Sequence, residues 1–559
     1  MRSRLPALAA GLLVVAGLTW DLGGYALLEP DEGRNAEVMR EIATEGPWWL
    51  PRLNGLPYVD KPILHFAAGA AALRAFGTNE TAARLPALVF TLGTILVVGA
   101  FARRTIGPEA GWHAALITAA TPFTLAYART VIFDATLTLC LTAALAAFFL
   151  AVDAAERDAP ADRWTLAAWA AVGLGVLTKG PVALAVPLLV AVPYAVWRRR
   201  VWVVLDPTGL LLLLALVLPW VFAMSTVVPD FLRYVLFVET AQRLGSDVLG
   251  RTEPWWYFLP IFAAAALPWS VVLARAAPHA LGAWRAHRID PRVVYGVLWI
   301  LVPLLLFSVS RSKRPQYMLP LIPPVGLLIA LWWSRSHDRL GGIQLAGTAL
   351  LVFGGALLAL APAIPGWLDT RAGVGAAIGP TAVKLGIVAL VSGAAAFGLA
   401  TRGRWALPAL VFPVAAIPFV SMPLMDRIGE DRSSRAAATA VRPFLTAETE
   451  VIAVATYPLS LSFYLERTLT LATADGRELT SNYITRRHER LRTIAGSTLR
   501  PLGWWEEALA LCDRPRLFVV PADRSDLRDR LGTSLGLLAE TRKFAVYGPC
   551  GGDLLVRGP

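Results

Sequence analysis

The feature that most constrains this chain is a series of long apolar segments with almost no charged residues. Segments of about 18 or more such residues recur before position 425, and each is long enough to cross a hydrocarbon core of roughly 30 Å as an α-helix. They lack the alternating pattern of membrane-barrel strands. Since 56% of the 559 residues are hydrophobic and only 16% are charged, the chain is predicted to be a polytopic α-helical membrane protein.

Hydropathy predicts about thirteen spans and a polar C-terminal region. The spans are expected near residues 5–28, 84–102, 110–127, 134–152, 164–180, 181–197, 207–225, 256–275, 292–310, 316–333, 342–363, 380–400 and 404–424. After them, strand patterns near 450–455 and 516–521 alternate with helical patterns near 436–446 and 526–541, which predicts a small α/β domain. The expected domains are a transmembrane domain at 1–424, with a polar catalytic loop at 28–83, and an α/β domain at 425–559.

The short loops predict the orientation. Loops with clustered arginines, such as 103–104 and 198–200, all fall on one side, which the positive-inside rule places in the cytoplasm. An odd number of spans then places the 28–83 loop and the C-terminal domain outside, in a periplasm or its equivalent. The net charge of +12 comes largely from these dispersed arginines, so nucleic-acid binding is not expected. For Cys512 and Cys550, in the outward domain, a disulfide and two free thiols remain equal alternatives.

Charged residues on the predicted outward side form the candidate site. The first outward loop contains Asp31, Glu32 and Arg34, and later Asp60 and Lys61. Asp31 and Arg34 share one face of a predicted helix; the alternative is an interfacial helix in which Asp31 is only an N-cap. Outward cations oppose the topology rule, so an anionic ligand is the expected reason for their presence.

Later outward loops add further candidates. Asp134 has three open interpretations: an N-cap, a partner for Arg129, or a second acid of the same pocket. Lys179 is either a site cation or a side chain that snorkels to the interface. Three cations before the tenth span suit a lipid phosphate or pyrophosphate; the alternative is a solvated basic turn. The candidates in these loops are Asp134, Lys179, Glu239, Arg243, Arg311, Lys313 and Tyr317.

The order and spacing of five motifs resemble a known family. They read DEGRNAE at 31–37, LNGLPYVDKP at 53–62, FGTNETAARLP at 76–86, TKGP at 178–181 and SKRPQYMLP at 312–320. This pattern is similar to that of bacterial GT-C glycosyltransferases of the ArnT-like and protein O-mannosyltransferase-like group. The resemblance extends over the membrane part of the chain.

The resemblance implies an inverting glycosyltransferase of a bacterial inner membrane. Its donor would be a sugar on undecaprenyl phosphate, such as 4-amino-4-deoxy-L-arabinose, and its acceptor lipid A or another glycan or protein at the periplasmic face, among membrane lipids. The alternatives are a protein O-mannosyltransferase-like or other envelope-glycan transferase and, from a different class, a glycolipid flippase or transporter, which would need polar groups within the spans.

The resemblance also implies roles for individual residues. The expected catalytic residues are Asp31, Glu32 and Asp134. The expected contacts to the donor phosphate are Lys61, Arg34, Arg243, Arg311 and Lys313. The expected further pocket residues are Asp60, Lys179, Glu239 and Tyr317.

The chain departs from the family pattern in the loop before the eighth span and at one position of the first outward loop. Thr240 and Arg251 occupy positions where family members commonly have histidine, and Asp60 replaces glutamate before Lys61. No cofactor is required on this basis. A divalent metal stays possible, although loss of the histidine argues against a structural metal that bridges these loops.

Overall fold

A computed structural model shows that the chain divides into two compact units. It describes residues 5–235, 237, 253–335, 338–367 and 372–551. The first unit, here called the helical unit, comprises Met1–Leu22 and Arg84–Leu424; the second, here called the sheet unit, comprises Gly23–Ala83 and Met425–Pro559. The loop at 28–83, which sequence analysis assigned to the transmembrane domain, thus belongs with the C-terminal domain.

Hydrogen bonds over long sequence separations explain this assignment. Asn54 Nδ2 donates to the Leu469 carbonyl at 2.9 Å, and the Leu469 N–H donates back to Asn54 Oδ1 at 2.8 Å. Because Asn54 is fully buried, both of its amide atoms need such partners. Local hydropathy cannot reveal a pairing between two residues that are 415 positions apart.

The helical unit is built from apolar helices joined by short connections. Its helices are Leu5–Thr19, Glu80–Thr105, Pro108–Ala119, Pro122–Ala128, Asp134–Glu156, Asp162–Lys179, Val182–Trp197, Val201–Val204, Pro207–Val227, Phe231–Arg233, Phe258–Ala265, Trp269–Arg285, Pro291–Val309, Ile322–Arg335, Arg339–Leu360, Ile364–Trp367, Ala372–Gly398 and Ala406–Arg432, with 3-10 segments Pro315–Leu321 and Ala400–Trp405. The first residues of Glu80–Thr105 and the last of Ala406–Arg432 belong to the sheet unit. Small residues permit close packing: a Cβ at Gly326 would lie 2.7 Å from the Ala114 carbonyl oxygen.

Fewer helices than predicted are long enough to span. Among the described residues, eight helices pass by length and composition, or nine if Phe258–Ala265 and Trp269–Arg285, bent by 105°, count as one. The span expected near 110–127 is broken because the Thr121 side chain accepts a hydrogen bond from the Thr124 N–H and begins a new helix with Pro122. The first helix is also shorter than expected, since Leu5–Thr19 ends well before residue 28.

The arginine-containing loops of the helical unit contact one another. Arg198 pairs with Glu156 at 2.5 Å. Asp290 pairs with both Arg292 and Arg335, and Arg292 donates to the Thr105 carbonyl. These loops therefore meet at one end of the helices, in agreement with the arrangement that the positive-inside rule requires.

The sheet unit contains a two-stranded hairpin and a six-stranded mixed sheet. The strands are β1 Arg52–Leu53, β2 Leu56–Pro57, β3 Glu450–Val454, β4 Thr470–Thr473, β5 Leu499–Pro501, β6 Arg516–Pro521, β7 Leu537–Glu540 and β8 Phe544–Cys550. The large sheet has the order β5-β4-β3-β6-β8-β7, in which β3 to β6 are parallel and β8 is antiparallel to both of its neighbours. The central strands β3 and β6 are almost wholly buried, as expected for parallel strands covered on both faces.

The sheet unit also contains helices, among them the two of the first loop. They are Asp31–Thr44, Leu64–Phe76, Arg435–Val441, Leu461–Leu465, Asn482–Arg492, Trp504–Leu511 and Ser525–Gly532, with 3-10 turns Arg442–Phe444 and Arg477–Leu479. The strands expected near 450–455 and 516–521 are confirmed. The helix expected at 526–541 is shorter in the structure. It ends at Gly532, and strand β7 occupies the second half of the expected range.

A disulfide closes the C-terminal domain. Cys512, after the helix Trp504–Leu511, is bonded to Cys550 at the end of β8, with 5.6 Å between their Cα atoms. Of the two alternatives from the sequence, the structure has the disulfide. Cys140 is a buried free thiol.

We expect Cys512→Ser, Cys550→Ser and the double variant to destabilise the sheet unit equally, by roughly 2–4 kcal/mol, because each change breaks the same cross-link. Thermal unfolding of the purified full chain measures the effect. Maleimide labelling of denatured, unreduced protein provides the control: the native chain should expose one thiol and Cys140→Ala none. Three labelled thiols in the native chain would contradict the bond.

Candidate active site

The start of helix Asp31–Thr44 presents the first candidate acid. Asp31 and Glu32 occupy the first turn, where the helix dipole favours anions. Asp31 Oδ1 lies 2.6 Å from Arg34 Nη2, and the two side chains are 29% and 13% exposed. This pair agrees with the helix face predicted from the sequence, and it leaves the Asp31 carboxylate partly accessible.

Arg34 is held from its other side by the C-terminal domain. Its Nη1 donates to Thr480 Oγ1 at 3.0 Å and to the Thr480 carbonyl at 3.3 Å. Burial lowers the pKa of Arg34, but the opposing effects of Tyr58, Asp31 and Asp60 are larger in sum, so the pKa lies above its ordinary value. Arg34 is therefore a fixed positive charge beside Asp31.

Two glutamates position the beginning of this helix. Glu32, expected to be catalytic, is 2% exposed and its Oε2 accepts from the Leu28 N–H at 2.9 Å. Glu29 Oε1 accepts from Ser434 Oγ at 2.7 Å and from both the N–H and Oγ of Ser460, at 2.9 and 2.6 Å. The role of Glu29 cannot be read from the local sequence, because its partners lie more than 400 positions later in the chain.

Close packing against Ser460 also explains a glycine in the first motif. A Cβ at Gly33 would lie 2.8 Å from the Ser460 N atom. That is closer than a Cβ can approach backbone without displacement, so only glycine lets the helix approach this segment. The DEGR motif is therefore in part a packing motif.

Asp60 has a structural role that the sequence did not reveal. Its Oδ2 accepts from the Asn482 N–H at 2.9 Å and its Oδ1 from the Tyr483 N–H at 3.1 Å. It thereby satisfies the free N–H groups at the start of helix Asn482–Arg492. Sequence analysis expected it to line the pocket. The neighbouring Lys61 is half-buried, and its Nζ donates to the Asp60 carbonyl at 2.5 Å.

The helical unit contributes a second carboxylate–cation pair. Lys179 Nζ lies 2.6 Å from Asp134 Oδ1, and the side chains are 14% and 3% exposed. The Nζ atom also lies 4.6 Å from the centroid of the Tyr317 ring, within range for a cation–π interaction. Three residues that the sequence placed in one pocket are thus brought together within this unit.

The alternatives for Asp134 can be compared with these contacts. The cap position of its helix is Phe133, with no side-chain cap bond, and Asp134 occupies the first helical turn. Arg129 donates to the carbonyls of Gly17, Leu18 and Asp21. The Nζ of Lys179 is directed at a buried carboxylate, which is not the geometry of a lysine that snorkels to the interface.

The cations of the 311–314 loop differ in environment. Lys313 is buried, and its Nζ donates to the carbonyls of Ser310 at 2.6 Å and Glu253 at 2.9 Å. Burial lowers the pKa of its ammonium group. Arg311 lies exposed at the surface. Two of the three N–H donors of Lys313 therefore bind the backbone of its own unit.

Two predicted residues, Glu239 and Arg243, lie outside the described residues, as does Arg251. Within the described parts of the chain, no group of three His, Cys, Asp or Glu side chains is placed to hold a metal ion. No ligand set for a divalent metal is therefore assigned.

Each of the two pairs, taken by itself, has side chains that suit group-transfer chemistry. A carboxylate beside a fixed cation can bind or deprotonate an acceptor hydroxyl or bind an amine. Buried or half-buried cations can stabilise the negative charge that develops on a departing phosphate. Asp31–Arg34 in the sheet unit and Asp134–Lys179 in the helical unit each supply one such combination.

Comparison with known proteins gives the family. Residues 60–224 match the family described as dolichyl-phosphate-mannose-protein mannosyltransferase. Two proteins named undecaprenyl phosphate-alpha-4-amino-4-deoxy-L-arabinose arabinosyl transferase, from Pseudomonas paraeruginosa and Pseudomonas aeruginosa, are 34% and 35% identical to the chain, over 72% of its length and 73% of theirs.

A solved structure extends the comparison to the whole fold. The crystal structure of ArnT from Cupriavidus metallidurans bound to undecaprenyl phosphate has a TM-score of 0.81 and 26% identity, and the match covers 98% of both chains. It confirms the predicted class, a GT-C membrane fold with a C-terminal α/β domain, and the predicted enzyme type. The chain belongs to the family of undecaprenyl phosphate-4-amino-4-deoxy-L-arabinose arabinosyl transferases, which are ArnT-like GT-C glycosyltransferases.

Proposed function

We propose that this glycosyltransferase moves 4-amino-4-deoxy-L-arabinose from undecaprenyl phosphate to lipid A at the periplasmic face of a bacterial inner membrane. The observation that carries the proposal is the pair Asp31–Arg34, fixed at a helix start within the first family motif. The names of the similar proteins supply the donor and the sugar.

The ends of one helix support the periplasmic placement. Asp134 and Glu156 are the first and last residues of a 23-residue helix, so they lie roughly 33 Å apart. Glu156 pairs with Arg198 among the arginine-containing loops, which belong to the cytoplasmic side by the positive-inside rule. Asp134 and Lys179 then belong to the opposite, periplasmic side.

The reaction that we propose is a single displacement. An acceptor oxygen attacks the sugar carbon, the bond from that carbon to the phosphate oxygen breaks, and undecaprenyl phosphate departs with the bonding electrons. Inversion at the carbon follows from attack opposite the leaving group. Within the helical unit, Lys179 and Lys313 are the described cations that we assign to the phosphate charge, and Lys61, Arg34, Arg243 and Arg311 stay predicted contacts.

The acceptor decides what Asp31 does. A phosphate monoester has a second pKa of about 6 and is mostly ionised near neutrality, so it attacks without a base. With lipid A phosphate as acceptor, Asp31 binds and orients the sugar through its hydroxyl or amino group. With a protein or glycan hydroxyl as acceptor, Asp31 takes the proton. The match of residues 60–224 to protein mannosyltransferases makes a protein hydroxyl the second candidate.

We expect Asp31→Asn to lower transfer to a peptide hydroxyl by roughly 10²–10⁴-fold, because Asp31 takes the proton there, and to lower transfer to lipid A less, because Asp31 then only orients the sugar. The measurement is transfer of labelled sugar from undecaprenyl phosphate to lipid A, and to a Ser/Thr peptide, by purified protein in lipid. Asp526→Asn is the matched control, because Asp526 also lies in the first turn of a helix of the sheet unit and pairs with Arg524, at 2.7 Å. Equal rates for both variants would reject a role for Asp31.

The same assays test the assignments of the donor and of the acceptor separately. Transfer to the peptide alone would favour the protein-glycosylating alternative. If undecaprenyl phosphate neither binds the protein nor competes with the labelled donor, the proposed donor is rejected. A glycolipid transporter would move labelled donor across a vesicle membrane without forming product.

We expect Asp134→Asn or Lys179→Gln alone to destabilise the helical unit by roughly 3–5 kcal/mol, because each leaves a buried charge without its partner. The double variant should recover much of this stability. If the pair also acts on substrate, the double variant stays inactive although it is folded. Recovery of both stability and transfer in the double variant would show that the pair is structural only.

A further inference from the structure

A groove of about 900 Å³ opens between three helices of the helical unit. Its walls come from Trp269–Arg285, Pro291–Val309 and Ile322–Arg335. The first two helices are consecutive in the chain, yet each packs against the third. The groove therefore lies between them and uses the third helix as its floor.

Small side chains keep the groove open. Helix Trp269–Arg285 lines it with Leu273, Ala276, Ala280 and Trp284, which follow one another at intervals of three or four residues and so share one helix face. Two of these are alanines, which cannot fill the space that larger residues would close. Along Pro291–Val309 the lining extends from Val293 to Leu301, roughly 12 Å.

The groove opens toward the surroundings of the helices rather than toward the interior of the unit. Trp284, Leu281 and Leu301 at its rim are 56%, 50% and 47% exposed. Its walls are helices apolar enough to cross a membrane, or half of the bent pair. The surface at this position is therefore covered by lipid chains, whose apolar character matches the lining.

One end of the groove is basic. Arg288, Asp290 and Arg335 line it there. Asp290 is already bound by Arg335 and Arg292. Among the residues that the structure describes, Arg288 has no ion-pair partner. This end therefore offers an exposed guanidinium beside an apolar channel.

This basic end is distinct from the candidate active site. Asp290 immediately precedes the 19-residue helix Pro291–Val309, whose other end leads to Lys313. The two ends are separated by roughly 27 Å. The groove opens at the end where the arginine-containing loops meet.

We propose that this groove binds an anionic phospholipid of the surrounding bilayer. One acyl chain lies along the alanines of Trp269–Arg285, and the phosphate lies at Arg288. Basic pockets between membrane helices on the cytoplasmic side bind anionic headgroups by this combination of charge and apolar contact. This site is separate from the transfer reaction and does not depend on the identity of sugar or acceptor.

The test uses the full chain in phosphatidylcholine nanodiscs with a small fraction of phosphatidylglycerol that carries a photoreactive acyl chain. After irradiation we expect label on peptides from 269–301. Arg288→Gln should reduce this labelling roughly fivefold, the effect of one cation near an anionic headgroup. Ala280→Phe should reduce it by filling the channel. Arg285→Gln is the matched control for Arg288→Gln. Arg285 is also an exposed arginine, three positions earlier in the chain, but it does not line the groove.

Competition identifies the occupant. Unlabelled phosphatidylglycerol should displace the label and phosphatidylcholine should not. Equal displacement by both lipids, or equal labelling of Arg288→Gln and Arg285→Gln, would overturn the proposal and leave an unspecific lipid contact. Stronger displacement by undecaprenyl phosphate would overturn it too, because the groove would then belong to the donor. Unchanged thermal unfolding of each variant shows that lost labelling is not lost folding.

Discussion

The position of Asp31 depends on hydrogen bonds between the first loop and a domain at the opposite end of the chain. Glu29 binds Ser434 and Ser460, Asn54 pairs with the backbone of Leu469, and Asp60 binds two N–H groups at the start of Asn482–Arg492. These groups are buried and would be costly to leave without partners. The C-terminal domain, which has no catalytic motif of its own, therefore acts as the support on which the first candidate acid is held.

In the helical unit, the candidate charges are held in place by an opposite charge or by backbone dipoles. An ion within an apolar helix bundle is stable only where an opposite charge or several dipoles compensate for lost hydration. Asp134 and Lys179 meet this requirement together, and Lys313 meets it through two backbone carbonyls. The same contacts that make these charges tolerable also fix their direction, which is the preorganisation that electrostatic stabilisation of a leaving phosphate needs.

Local patterns predicted the membrane class, the central strands β3 and β6, and the shared helix face of Asp31 and Arg34, because each depends on residues a few positions apart. The sequence could not predict that Asp60 accepts hydrogen bonds at the start of a helix more than 400 residues later, or that Glu29 binds the Ser460 N–H. The break at Thr121 was missed because the segment around it is apolar enough on average to be taken for one span. Glu32 illustrates a further limit: the sequence could not predict its burial or its hydrogen bond to Leu28, and its catalytic role stays a prediction.

The pairing of Asn54 with Leu469 has a consequence for biosynthesis. The two residues are 415 positions apart, and at roughly 5–20 residues per second the ribosome needs about 20–80 s to make the intervening chain. Throughout that interval the first loop is complete but lacks the partners for its buried amide and carboxylate groups. The first loop can form these hydrogen bonds only after the final domain has been synthesised, so its native structure is completed late in the production of the chain.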